Sequence, residues 1–98
     1  MKKEWFESLN SHQKDILERL CSDAVPADFR YSDLRTLLTG LGFLESNKGK
    51  TSGSRVKFFH RESKEIIMVH RPHPGDEMKK ASVKGVRERL RDFRANAT

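Results

Sequence analysis

Apolar residues recur along this chain at two different periods, and the change from one to the other marks out its elements. Leu9, Ile16, Leu17, Leu20 and Cys21 keep one helical stripe. They predict a helix over 11–22, with Asn10 and Ser11 placed to cap or break the chain before it. Trp5, Phe6 and Leu9 predict a short helix near 3–9, and Pro26 marks a loop. In YSDLRTLLTGLGF, Leu34, Leu37, Leu38 and Leu41 give the 3-4 spacing of a buried helix face over 32–41. Ser32 reads as its N-cap, Asp33 suits its first turn, and Gly42 suits a left-handed end. From Phe43 the period drops to two. Strands are predicted over 43–47, 54–60 and 65–70, the last two joined by the short link RESK as an antiparallel hairpin. The run HRPHPG is a rigid exit, because each proline restricts itself and the residue before it. A final helix over 80–94 has Val83, Val86, Leu90 and Phe93 on its apolar face. Lys80, Lys84, Arg87, Arg91 and Arg94 follow the same rhythm one residue on, forming a cationic stripe.

Without the first helix the order is α-β-β-β-α. It predicts an α+β fold like that of double-stranded-RNA-binding domains: a three-stranded antiparallel sheet, helices on one face, and an extra N-terminal helix. The hairpin link sets residue 60 opposite 65 and residue 55 opposite 70. That makes Arg55 and His70 neighbours, with Arg55 and Lys57 on one side of their strand and Val56 and Phe58 on the other. The 98 residues suffice for one small domain. With apolar and charged residues at 35% each, the core is thin, and one sheet with one covered face is the economical plan.

Charge divides the chain in two. Residues 1–47 carry 6 Lys/Arg against 8 Asp/Glu, and residues 48–98 carry 14 against 6. The net +6 is therefore concentrated in the second half, as a polyanion-binding surface requires. Cys21, the only cysteine, excludes an internal disulfide and reads as a small core residue. No apolar run reaches the roughly 20 residues of a membrane span. The N-terminal lysines precede no apolar block, so a cytoplasmic protein is expected.

The loop GKTSGS precedes a strand and lacks the order of a nucleotide phosphate loop. It is either a mobile surface loop or a cradle whose backbone and Ser54 hydroxyl meet a phosphate, with Lys50 beside it. His70 and His73 have an H-x-x-H spacing, but Pro72 and Pro74 oppose a helix and no cysteine or acid cluster accompanies them. A metal is not expected, and no cofactor is.

DLRTLLTGLGF, then GSRVKFFH, then IIMVHRPHPGDEMKKASVKGVRERL together resemble the HicA toxin family of bacterial toxin–antitoxin systems. The parts in common are a helix ending in a Gly-aromatic pair, a Gly-Ser step opening the second strand, a PHP-like turn after the third, and a helix. The likeness spans roughly residues 32–93. It implies a domain over 31–98 behind an N-terminal extension over 1–30, an mRNA-cleaving toxin, and silencing by a HicB-type antitoxin. Most members place a histidine, taken as catalytic, in or just after the Gly-Ser step. Here Gly53-Ser54 is followed by Arg55.

Metal-independent RNA cleavage uses the substrate's 2′-hydroxyl as nucleophile, so a base, an acid and a cation are needed. Arginine stays protonated and suits only the last role, which Arg55 can fill with its fork on two phosphate oxygens. The base then falls to His70 or His73. His60 closes the hairpin and is expected to face solvent. Lys50, Ser54, Lys57, Arg71, Lys80, Lys84, Arg87 and Arg91 are the expected RNA-binding residues. Three functions follow: an endoribonuclease toxin, a module of the same fold that binds RNA or antitoxin without cutting, and a winged-helix DNA binder using the first two long helices with the hairpin as wing.

Overall fold

In the computed structural model, which describes residues 4–46, 55–72 and 75–96, the elements run α1 (Glu4–Glu7), α2 (Ser11–Leu20), α3 (Tyr31–Gly40), β1 (Phe43–Ser46), β2 (Arg55–His60), β3 (Ile66–His70) and α4 (Lys80–Asn96). The order and the predicted fold class agree with the sequence reading. The strands form one antiparallel sheet in the order β1-β2-β3. In β2–β3, Arg55 stands opposite His70, Lys57 opposite Met68 and Phe59 opposite Ile66, which is the predicted register. In β1–β2, Leu44 faces Phe59 and Ser46 faces Lys57.

One side of this sheet is covered. Val56, Phe58, Ile67 and Val69 point inward and share a single core with Leu34, Leu37 and Leu38 of α3 and Val83, Val86, Leu90 and Phe93 of α4. The alternation on β2 is complete: Arg55 and Lys57 are exposed, Val56 and Phe58 buried. Ile16, Leu17 and Leu20 of α2 join the same core, and Trp5 and Phe6 of α1 pack against it. Trp5 lies nearly parallel to Phe93 with ring centroids 5.2 Å apart.

The helix starts show how local sequence and tertiary structure divide the work. At α2, Asn10 accepts from the Gln13 N–H at 2.8 Å while the Gln13 side chain accepts from the Asn10 N–H at 2.9 Å, a reciprocal capping box. At α3 the expected Ser32 cap is not used. The helix begins one residue earlier, at Tyr31, and the cap position is Arg30, whose side chain makes no capping bond. Asp76 does the capping from 44 residues away: its carboxylate accepts from the Ser32 N–H at 3.1 Å and the Ser32 hydroxyl at 2.5 Å. The Asp76 backbone carbonyl also takes the Tyr31 N–H at 2.7 Å, and the Met78 N–H donates to Phe29 at 2.9 Å. The segment after β3 is thereby stitched to the start of α3. At the other end, Gly42 has φ +102°, the left-handed turn expected of it.

His60 departs from expectation. It is 2% exposed, not solvent-facing. Its Nδ1 accepts the Ser63 N–H at 3.2 Å, so the proton sits on Nε2, which donates to the Leu41 carbonyl at 3.0 Å. The rings of Trp5, Phe43 and Phe93 surround it, with centroids 4.2, 5.1 and 5.0 Å away. Strand alternation from Phe58 puts residue 60 on the inner face, and this outweighs its position at the close of the hairpin.

Asp76→Ala is expected to cost about 1–2 kcal/mol, the usual loss on removing a cap, which lowers the melting temperature by roughly 4–8 °C per kcal/mol in a domain of this size. Calorimetry checks this. An unchanged melting temperature would mean that the α3 cap is not made by Asp76.

Candidate nucleic-acid interface

The β2–β3 register places Arg55 and His70 directly opposite each other on the uncovered side of the sheet, and both are exposed. Opposed residues of an antiparallel pair have Cβ atoms about 4.5–5.5 Å apart, so a guanidinium and an imidazole can reach one phosphate from this rung. Lys57 lies on the next rung of the same side, exposed.

Both strands end this rung at the same end of the molecule, and other elements converge there. Arg71 follows His70 directly and holds its guanidinium 5.5 Å over the Tyr31 ring. Tyr31 donates its hydroxyl to Glu45 Oε2 at 2.6 Å, and Arg35 reaches Glu45 Oε1 at 3.1 Å. Burial, then the hydrogen bond to Glu45 and the charge of Glu45, push the Tyr31 phenol well above its ordinary range. Arg71 and Arg35 pull the other way and lose. Tyr31 is thus a neutral donor and a flat support for Arg71. Its partnership with Glu45 was not legible, because nothing local couples positions 31 and 45. The N-terminus of α3 also faces this end, but the Asp76 carboxylate already occupies it.

The expected residues do not all gather here. Lys80, Lys84 and Arg91 are exposed on α4, a helix that packs on the covered face of the sheet, away from Lys57. Arg87 is corrected: it is 7% exposed and not part of a solvent-facing stripe. Its Nη1 donates to the Ser22 carbonyl at 3.0 Å and the Asp23 carbonyl at 3.5 Å, tying α4 to the turn after α2. Its place beside Val86 and Leu90 carried that signal, but periodicity alone does not separate a stripe's buried margin from its exposed middle. The single cationic surface expected from β2 and α4 is therefore two: one on the outer sheet face, one on the helical layer. Lys50, Ser54 and His73 lie outside the described residues.

Cys21 is partly buried against the core, as expected. Burial pushes its thiol up despite Arg91, Arg94 and Arg87 nearby. Among the described residues no group of three or more His, Cys, Asp or Glu could hold a metal ion. Among the described residues no helix is long and apolar enough to cross a membrane.

A raised phenol binds its proton more tightly folded than unfolded. Its contribution to stability is full below the ordinary value of 10 and is lost as pH rises above it. The single tyrosine should therefore show no tyrosinate absorbance at 295 nm near pH 10 while the protein stays folded, and should ionise together with alkaline unfolding. Titration at about 10 in the folded protein would contradict the Tyr31–Glu45 contact.

The family model described as HicA toxin of bacterial toxin–antitoxin covers residues 31–93. No curated protein and no solved structure gives a significant match.

Proposed function

The chain belongs to the HicA toxin family, and from that premise we propose that it is the toxin of a toxin–antitoxin pair that binds mRNA and cuts it without a metal. The observation that carries this reading is the Arg55–His70 rung, a fixed cation and a titratable imidazole opposed on an open face. In the proposed step a ribose 2′-oxygen attacks the adjacent phosphorus and the bond to the 5′-oxygen breaks, leaving a 2′,3′-cyclic phosphate and a 5′-hydroxyl. His70 takes the 2′-hydroxyl proton. Arg55 holds the non-bridging oxygens as charge builds on them. The leaving 5′-oxygen takes its proton from His73 or from solvent, and His73 is the alternative base. Lys57 and Arg71 hold the flanking backbone, with Lys50 and Ser54 as further contacts. Lys80, Lys84 and Arg91 extend the basic field without touching the cleaved bond.

The family implies a cognate antitoxin. We take it to be HicB-like and to silence the toxin by covering the basic outer face, where complementary charge would speed its arrival. A second reading rests on the resemblance, by which Arg55 takes the place of the histidine that most members carry. A module that binds RNA or its antitoxin without turnover fits that exchange. The winged-helix reading loses ground because Arg35, the basic residue it needs, is engaged by Glu45, and because α4 packs under the hairpin meant to be the wing.

Purified protein in excess, incubated with mixed RNA and EDTA, should release fragments ending in 2′,3′-cyclic phosphate. His70→Ala should slow this by about 10²–10⁴-fold, and Arg55→Ala by a factor on the order of 10². RNA bound but never cut by the unmodified protein favours the second reading. Full activity in both His70→Ala and His73→Ala would refute the base assignment.

A further inference from the structure

The outer face of the sheet is only half basic. Its rungs run Arg55–His70, then Ser46–Lys57–Met68, then Leu44–Phe59–Ile66. Leu44 and Met68 are 50% and 51% exposed, the large apolar side chains given most fully to solvent among the described residues. Phe59 and Ile66 are partly exposed between them. Large apolar side chains grouped on an open surface mark a binding site more often than a chance of composition. No outward-facing position of the described strands carries an acid.

We propose that Leu44, Phe59, Ile66 and Met68 form a platform for an unpaired base of RNA whose backbone Arg55 and Lys57 hold, so that the chain selects single-stranded over duplex RNA. This rests on the RNA-binding reading above and names its substrate class. Three observations support it. On the outer face the cations Arg55 and Lys57 of β2 are followed by Phe59, with Met68 beside Lys57, so backbone and base can be held next to each other on one surface, as single-strand binders require. One rung to the next is two residues, about 7 Å, on the order of one nucleotide of an extended strand. A strand with phosphates at Arg55 and Lys57 thus brings its next base over Phe59, between Leu44 and Ile66 with Met68 alongside. A duplex, by contrast, stacks its bases inside and presents phosphates and 2′-hydroxyls, to which a flat apolar surface offers nothing.

The test is fluorescence anisotropy with a short unstructured 2′-O-methyl RNA, which cannot be cleaved. It is compared with the same strand in a duplex and with strands carrying one abasic position in turn. The variant is Leu44→Ser with Met68→Ser; both side chains are half exposed, and an unchanged melting temperature verifies its fold. The unmodified protein should prefer the single strand at least about tenfold and lose about 5- to 20-fold when one particular base is removed. The double variant should bind the single strand about tenfold more weakly, bind duplex as before, and ignore the abasic site. RNA binding that is indifferent to both the abasic site and the variant overturns the platform and leaves the RNA reading standing. Absence of RNA binding at low salt overturns both. A variant that binds RNA normally but loses the antitoxin would make the face a protein-docking surface, which also overturns the proposal.

Discussion

Everything in this molecule depends on the register of the β2–β3 hairpin. Side chains alternate across a strand, so a slip of one residue would send Arg55 and Lys57 into the core and turn Val56 and Phe58 to water. His60 is the pin. Its ring bonds the end of α3 through the Leu41 carbonyl and the hairpin turn through the Ser63 N–H. Lys64 completes the turn with a left-handed backbone, φ 67°, and returns its N–H to the His60 carbonyl at 2.8 Å. A slipped register would turn His60 outward with Val56 and Phe58 and take from the Leu41 carbonyl and the Ser63 N–H their shared partner, at a cost of about 1–3 kcal/mol for each group left buried and unsatisfied. Gly42 belongs to the same device. A Cβ there would sit 3.0 Å from His60 Nε2, so the close approach and the positive φ both demand glycine.

The two ends of the sheet thus have opposite characters. The His60 end is packed with rings, and the N-terminal segment adds Trp5 and Phe6 to it, with Arg94 5.2 Å over Phe6. The Arg55–His70 end is polar and held by directed bonds. Asp76 secures the chain after β3 to α3, Tyr31 and Glu45 join α3 to β1, and Arg71 lies over the Tyr31 ring. Rigidity at one end is what lets exposed side chains at the other keep a fixed spacing without being buried themselves.

Much of this was legible in the sequence because it is periodic. The leucines of α3, the alternation of RVKFF and the short RESK link are local patterns, and together they lead to the fold, the register and the Arg55–His70 pair. The parts that were not legible depend on distant partners. Ser32 looks like a cap from its neighbours, and only the folded chain brings Asp76 to supersede it. Arg87 continues a basic series, and only the turn after α2 draws it inward. His60 carries a polar label that outweighed its place on an inward strand position. In each case a buried polar group follows its hydrogen-bond partners, which sequence spacing does not reveal.

The central claim is that phosphate recognition sits on the outer face at the Arg55–His70 end and not on the basic flank of α4. Amide chemical-shift mapping with an uncleavable single-stranded RNA tests this most directly. The account predicts the largest changes at Arg55, Lys57, His70 and Arg71, with little at Lys84 and Arg91. Changes centred on Lys84 and Arg91, with the strand residues still, would contradict it.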